Sequence, residues 1–387
     1  MPQSKSYKYA VGGIGIGRAG TGRTRTYETH GPCEVVAVAD SDAANLELAK
    51  KRFEAPGYLT AAEMFKNHKI DIAVASLPVR ANYEVVMAAV KGGVKALVTE
   101  KPFTAKLSDA DDMVAVCKAK GIPLASGLVS MNRWNHWKAK EMLHAGEIGE
   151  IVRINIYDEN HQGGCHGPNL ARHFAGAEVD FVSGYATGDP FNDYEDQDPQ
   201  GRPGFGGVGG FIKFKNGVEC FSTTRRADWR AFEVIGTKGM IYKDGGVASR
   251  ELYMLKSGKD KPTSFSDLLP VPDMNELLIE REDEDGVMKY GDDGWALPTD
   301  GMIHSTRAIV AALDTGKPVQ LTTGEDLRQA LEICIGWRES ARRGNTILKF
   351  PIADRSLTMY PQRSRWNYKK ELMGHDAYMK ALSKQVK

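Results

Sequence analysis

The sequence predicts an α/β protein: an N-terminal, doubly wound parallel sheet of the Rossmann type, followed by a second α/β domain. Three observations carry this expectation. A glycine-rich turn, Gly15-x-Gly17-x-x-Gly20, ends an apolar run that starts at Tyr9. Apolar runs then alternate with helix-compatible stretches as far as Leu128, the rhythm of parallel βαβ units. From Gly149 onward that rhythm gives way to alternating strand patterns broken by glycine turns. These readings divide the chain into a nucleotide-binding domain (1–125), a second domain (126–354) and a C-terminal arm (355–387).

The first βα unit is the most informative. A glycine turn between a buried strand and a helix N-terminus can cradle a pyrophosphate, with helix amides directed at it. Gly15, Ile16, Gly17, Arg18, Ala19 and Gly20 form that candidate cradle. The second strand, Glu34 to Ala39, ends at Asp40, twenty residues after Gly20. A carboxylate there accepts hydrogen bonds from ribose hydroxyls and repels a 2′-phosphate. Ser41 and Asp42 follow with no compensating arginine, so the expected cofactor is NAD rather than NADP.

Further elements follow in order: a helix over 43–53, a strand over 70–77, a helix over 82–91, a strand over 96–99, a helix over 109–120 and a strand over 122–128. Ligands of such sheets lie over the strand C-termini. Leu77, Pro78, Glu100 and Lys101 stand at those ends and are expected to face the nicotinamide half of the cofactor. Beyond the boundary, Trp134, Trp137, Met142 and Leu143 give one helical face, and strands are expected over 149–157, 210–214 and 219–224. Gly204 to Gly210 reads as loop and turn. Asp189 to Asp198 and Glu280 to Asp293 read as acidic surface loops without EF-hand spacing. Helices are expected over 302–313 and 327–341, and the basic, aromatic tail from Arg355 reads as a docked arm.

With 387 residues the chain accommodates two domains with their own cores. Its 51 Lys+Arg nearly balance 50 Asp+Glu, which argues against nucleic acid or an anionic membrane as partner. The five cysteines are scattered and without CxxC spacing, which suits a reducing compartment. No signal-peptide core and no apolar run of bilayer length is evident, so a cytoplasmic location is expected.

Two stretches could do chemistry. Lys101 follows a buried strand and is fixed by Pro102; beside a cationic nicotinamide its pKa would fall, which suits proton exchange with a hydroxyl. The other stretch is His161-Gln-Gly-Gly-Cys-His166-Gly-Pro-Asn-Leu-Ala-Arg-His173, in which His166 is the better-placed base and His173 reads as a packed residue. A zinc site drawn on His161, Cys165 and His166 lacks a fourth ligand, so no metal is assigned.

With Glu100-Lys101-Pro102 after a strand, Gly146-Glu-Ile-Gly149 opening the second domain, and Gly316-Lys-Pro318 with Gly324-Glu-Asp326 near the end, the chain resembles the glucose-fructose oxidoreductase / inositol dehydrogenase / rhizopine-catabolism (Gfo/Idh/MocA) family. The resemblance runs from the Gly15 loop to about Pro351. It implies a second domain with a large, open, mostly antiparallel sheet, homodimers or homotetramers, and NAD(P)-linked chemistry at a hydroxyl carbon of a sugar or cyclitol. Lys101 then matches the catalytic lysine, and His166 the histidine of the second-domain motif. Three positions depart from the pattern: Gln162 and Asn169 stand where aspartates are common, and Asn82 where a histidine often stands.

The expected activity is NAD-dependent hydride transfer at a hydroxyl carbon of a sugar, glycoside or cyclitol. Lys101 and His166 are the expected catalytic residues. Arg133, Tyr157, Gln162, His166 and Trp229 are expected on the substrate, and Asn82 with the strand-end residues on the cofactor. One alternative is an NAD-dependent glycosidase that works through transient oxidation, elimination, hydration and re-reduction. Another is a non-catalytic dinucleotide sensor, against which the retention of Lys101 and His166 argues.

Overall fold

The computed structural model describes residues 7–126, 132–157, 165–186, 190–191, 207–223, 231–244, 251–266 and 300–359. Gln162, Trp229, the stretch 280–293, most of the stretch 189–198 and the tail beyond Met359, for which the sequence sets expectations, lie outside the described residues.

The first sheet has six parallel strands in the order β3-β2-β1-β4-β5-β6, comprising β1 (Tyr9–Ile14), β2 (Cys33–Ala39), β3 (Gly57–Tyr58), β4 (Ile72–Ala75), β5 (Ala96–Thr99) and β6 (Leu124–Ser126). Helix α1 (Arg18–His30) and α2 (Ala43–Phe53) connect β1, β2 and β3; α3 (Ala61–Asn67), α4 (Val79–Lys91) and α5 (Leu107–Ala119) connect the rest. The strands are covered on both faces, so they read as continuous apolar runs. Alternate residues divide between two cores: Ile72, Val74, Ala96 and Val98 face the α1 side, while Ala73, Ala75 and Leu97 face the α4 side. Strand order reverses between β1 and β4, which opens the crevice where such folds bind ligands.

Expected and observed elements differ at their ends. β4 is shorter than the expected 70–77, because Ser76 to Pro78 already turn into α4, which Pro78 opens as N-cap. Helix α3 is an element that hydrophobic pattern does not announce in seven residues. Its signal is the cap: the Thr60 side chain accepts from the Glu63 amide at 3.2 Å.

After α6 (Trp134–His144) the second sheet forms, nine-stranded and mostly antiparallel, in the order β14-β13-β12-β11-β7-β10-β9-β8-β15. It contains β7 (Ile151–Tyr157), β8 (Val179–Ala186), β9 (Val208–Phe214), β10 (Glu219–Thr223), β11 (Ala231–Gly236), β12 (Gly239–Lys243), β13 (Tyr253–Lys256), β14 (Thr263–Ser264) and β15 (Leu348–Lys349). Among the described residues its one parallel pair joins β7 and β10. The end of the Gly204–Gly210 stretch is the start of β9 rather than loop. Helix α7 (His166–Ala175) and α9 (Gly324–Arg342) cover one face of the sheet. The buried residues Ile154, Ile156, Ile212 and Cys220 point to that face.

Helix α8 (Asp300–Thr315) returns to the first sheet. Its Ile309 and Val310 join the core of Val11 and Tyr27, and Thr306 shares a hydroxyl hydrogen bond of 2.7 Å with Thr26 of α1. Among the described residues, no helix is long and apolar enough to cross a membrane.

An ionic cluster fastens the two halves together. Glu332 of α9, 2% exposed, accepts from Arg355 at 2.6 Å, from Arg328 at 3.2 Å and from the Ile352 amide at 2.8 Å. Asp111 of α5 accepts from Arg355 Nε at 2.7 Å and Nη2 at 2.8 Å, and from Arg328 at 3.2 Å. The one buried charge, Glu332, is paired more than once, the condition under which such a cluster holds. Truncating one carboxylate leaves two guanidinium groups short of a partner. Glu332→Ala is therefore expected to destabilise the fold by about 3 kcal/mol, read as a lower unfolding midpoint by circular dichroism; an unchanged midpoint would show that the cluster contributes nothing.

Candidate functional site

Each of the three glycines in the opening turn has a separate physical reason. Gly15 sits at φ +74°, and a Cβ there would lie 2.5 Å from the Ser76 carbonyl oxygen, so only glycine fits. A Cβ on Gly20 would collide with the carbonyl of Gly15, so this glycine lets helix and turn close on each other. At Gly17 the nearest atom to a Cβ would be Asn45 Nδ2 at 3.8 Å; packing within the chain makes no demand for glycine there. What a side chain at Gly17 would fill is the approach to the first turn of α1. That turn holds no acidic residue, and its N-cap makes no side-chain hydrogen bond. Its amides are directed as an anion requires, with Arg18 as the first helical residue and Ala19 half-buried behind it.

Asp40 stands beside this turn. Its carboxylate accepts from the Asp42 amide at 2.8 Å, from the Ile16 amide of the glycine turn and from the Asn45 side chain. Burial pushes its pKa above the ordinary 3.8, nearby Asp42 adds to the rise, and the hydrogen bonds oppose it. Ser41 is exposed at the tip, and Asp42 caps α2 by accepting from the Ala44 and Asn45 amides. The cradle and the acid are thus one hydrogen-bonded unit. These residues fit a dinucleotide: an open glycine approach, uncapped helix amides and a carboxylate at the end of the neighbouring strand.

The β4 and β5 ends close the other side. Leu77 is half-buried against Gly15, and Pro78 is exposed. The turn Glu100-Lys101-Pro102-Phe103 is held from both faces of the sheet. On the α4 side, fully buried Asn82 donates to the Phe103 carbonyl at 2.9 Å and the Glu100 carbonyl at 3.4 Å. On the α1 side, Arg23 forms an ion pair with the Glu100 carboxylate and donates to Ser76 Oγ at 3.2 Å. Phe103, wholly buried, adopts φ +87°, a conformation costing a non-glycine residue on the order of 1–3 kcal/mol. The Asn82 side chain and the Glu100 carboxylate, both expected on the cofactor, make their observed bonds to this turn and to Arg23. Lys101 is half-buried at its apex.

A third contact comes from the second domain. Buried Cys165 donates from Sγ to the Pro102 carbonyl at 3.5 Å, and α7 begins at the next residue, His166. Lys101 and His166 therefore each lie one residue from this contact. Further along α7, Asn169 donates to Thr322 Oγ1 at 3.3 Å and Arg172 donates to Asp326 at 2.8 Å and Glu178 at 3.2 Å. Arg172 and two hydrogen bonds from Thr323 overcome the effect of burial and hold the Asp326 carboxyl below the usual carboxylate range. His173 packs edge-on against Trp137 at 5.0 Å; burial, then the neighbouring Lys140, pulls its pKa down to about 3. It is a neutral packing residue.

The remaining substrate candidates separate. Arg133 is half-buried as the N-cap residue of α6. Tyr157 lies on the sheet face opposite α7, where its hydroxyl donates to Glu233 at 3.0 Å. Gln162 and Trp229 are outside the described residues. Among the described residues, no group of three or more His, Cys, Asp or Glu converges on a metal position. Sequence reasoning missed Arg23 and the role of Cys165. Arg23 carries no motif, but it lies less than one helical turn past Gly20 on the helix that opens the cradle.

Known proteins share this architecture. Residues 9–128 match the oxidoreductase family with an NAD-binding Rossmann fold, GFO_IDH_MocA. A dTDP-3,4-didehydro-2,6-dideoxy-α-D-glucose 3-reductase from Saccharopolyspora spinosa is 30% identical over 118 residues, 30% of this chain and 35% of that protein. D-apiose dehydrogenase from Paraburkholderia graminis is 31% identical over 121 residues, 31% of this chain and 32% of that protein. The match thus spans about a third of each of these relatives. An oxidoreductase from Agrobacterium radiobacter, solved with NAD+, L-tartaric acid and magnesium, shares the fold over 88% of this chain and 98% of its own at a TM-score of 0.70 and 19% identity. The sequence likeness to the Gfo/Idh/MocA oxidoreductase family thus lies in residues 9–128, the part that carries the NAD-binding Rossmann fold.

Proposed function

We propose that this protein is an NAD-dependent oxidoreductase acting on a hydroxyl carbon of a sugar or cyclitol. The observation that carries the reading is the Cys165–Pro102 contact, which brings the start of α7 against the Lys101 turn beside the glycine cradle. The sugar-processing relatives support the substrate class. When bound, the nicotinamide supplies the hydride acceptor or donor at ring carbon C4. The α1 amides and Gly17 would hold its pyrophosphate, Asp40 its adenosine ribose, and Leu77 and Pro78 would border its nicotinamide half.

Lys101 and His166 divide the proton work. A hydroxyl donating to one of them gives up its proton as its carbon loses hydride; the other orients the same hydroxyl or its neighbour. Asn169, the position where the family often has an aspartate, is occupied with Thr322 and brings no charge to His166. Arg133 at the start of α6 and Gln162 are proposed to bind substrate hydroxyls, whereas Tyr157 is engaged with Glu233 on the far face. That face carries exposed Phe221 with Phe211 and Phe181 in a row, which supports assembly as a homodimer or homotetramer.

Incubation with NAD and a panel of sugars, glycosides and cyclitols, scored for NADH and for aglycone release, tests the reaction. NADH formed in step with oxidised product is the expected result; aglycone release without NADH would replace this reading with net hydrolysis. Lys101→Ala and His166→Ala are each expected to lower kcat by about 10²–10⁴-fold while the fold is retained.

Asp40 yields a second expectation, in cofactor binding. Asp40→Ala should weaken NADH more than NADPH in fluorescence titrations, and equal losses would remove the ribose role. The raised pKa also has a sign. The folded chain keeps the Asp40 proton to higher pH than the unfolded chain, so ionisation costs stability as pH rises through that window. The acceptor for ribose hydroxyls is lost as pH falls through the same window. NADH affinity should therefore decline on acidification before an ordinary aspartate would titrate, and Asp40→Asn should flatten that decline.

A further inference from the structure

We propose that Arg23 is a positioning residue for Lys101, acting through Glu100: it neutralises the Glu100 carboxylate and thereby sets the pH at which the Lys101 amine loses its proton. The proposal rests on the reading of Lys101 as an acid–base group.

Four observations support it. The Arg23 and Glu100 side chains are 14% and 10% exposed, so their ion pair is largely withdrawn from water. Glu100 precedes Lys101 and continues the alternation of Ala96 and Val98 toward the α1 side, where Arg23 waits. The same guanidinium reaches Ser76 Oγ, the residue whose carbonyl abuts Gly15. One side chain therefore links the glycine-turn helix with the β4 and β5 ends. Finally, Asn82 and the Cys165 thiol fix the turn's carbonyls with neutral donors, so they hold its shape without setting its charge.

The charge argument follows from burial. A largely buried carboxylate needs a counter-ion, and arginine supplies one at every relevant pH. Without Arg23, the nearest cation in sequence is the Lys101 ammonium, which Glu100 would hold protonated to higher pH. Without the Glu100 charge, one negative charge beside the Arg23 guanidinium and next to Lys101 in the chain is removed, which favours the neutral amine. Of the groups around the turn, Arg23 pairs with the Glu100 carboxylate, Cys165 bonds to the Pro102 carbonyl with His166 next to it in the chain, and α4 contributes the neutral Asn82.

The two single substitutions consequently have opposite signs, which a merely structural ion pair does not produce. The full-length protein, without substrate, is treated with acetic anhydride across a pH series, and Lys101 acetylation is followed by peptide mass spectrometry. Arg23→Met is expected to move the midpoint for Lys101 up by about one pH unit, and Glu100→Gln to move it down. The double variant R23M/E100Q should return it toward wild type, and Arg23→Lys should leave it within about 0.3 units. With a substrate in hand, the ascending limb of the kcat/KM profile should shift in the same directions, with kcat changing more than KM for NAD.

Midpoints that do not move, or that move in one direction for both substitutions, overturn the proposal. If Arg23→Met does not fold, Glu100→Gln decides alone, since an unmoved or raised midpoint there is equally fatal. Shifted midpoints in a protein that oxidises no polyol would sink the proposed reaction and leave the Arg23 assignment standing.

Discussion

The site depends on one constraint above others: the Glu100–Phe103 turn must keep its shape at the edge where two domains meet. β5 has only four residues, and its last peptide opens directly into this turn. Phe103 is held at positive φ inside the core, which persists only if neighbours over-determine the backbone. They do so from three directions. Asn82 binds the turn's carbonyls from α4, Arg23 binds its carboxylate from α1, and Cys165 reaches its proline carbonyl from the second domain. None of these three belongs to β5 or its turn, so Lys101 is positioned by the whole nucleotide-binding sheet and by the start of α7.

Helix α7 is fixed with equal care, and by distant chain. Its first residue carries His166, while Asn169 and Arg172 bond to Thr322 and Asp326 at the entrance of α9. Thr323 caps α9 in a reciprocal capping box with Asp326, so the group that receives Arg172 is itself immobilised. The same α9 carries Glu332, through which Arg355 fastens the returning chain to α5. Displacement of α9 would therefore reach His166 through Arg172 and would reach the first domain through Asp111. The orientation of the two halves and the approach of the two proposed catalytic residues are one mechanical property.

How much of this was legible in the sequence follows from the range of each interaction. Gly15, Gly20 and Asp40 act within one βαβ unit, so their spacing in the chain is their geometry in space. The parallel sheet was legible for the same reason, since each strand is followed at once by the helix that covers it. Arg23 was not legible: an arginine among the polar residues of α1 reads as solvated, and its partner lies in another βα unit. Asn82 was noticed as a departure, yet its bonds to Glu100 and Phe103 depend on α4 crossing under the β5 end. Tyr157 shows the limit of a strand pattern. Alternation puts it opposite Ile156, but only the helices α7 and α9 decide which of the two faces is the inner one.

The comparisons divide along the same physical line. Sequence likeness to curated relatives is confined to about a third of the chain, whereas the likeness of fold extends over 88% of it. A glycine turn tolerates almost no change, because a Cβ at Gly15 or Gly20 strikes backbone atoms that cannot yield. A broad antiparallel sheet asks only for apolar residues of suitable volume on its inner face and is satisfied by many sequences. Sequence likeness to the family accordingly lies in residues 9–128, while the likeness of fold extends through the second domain.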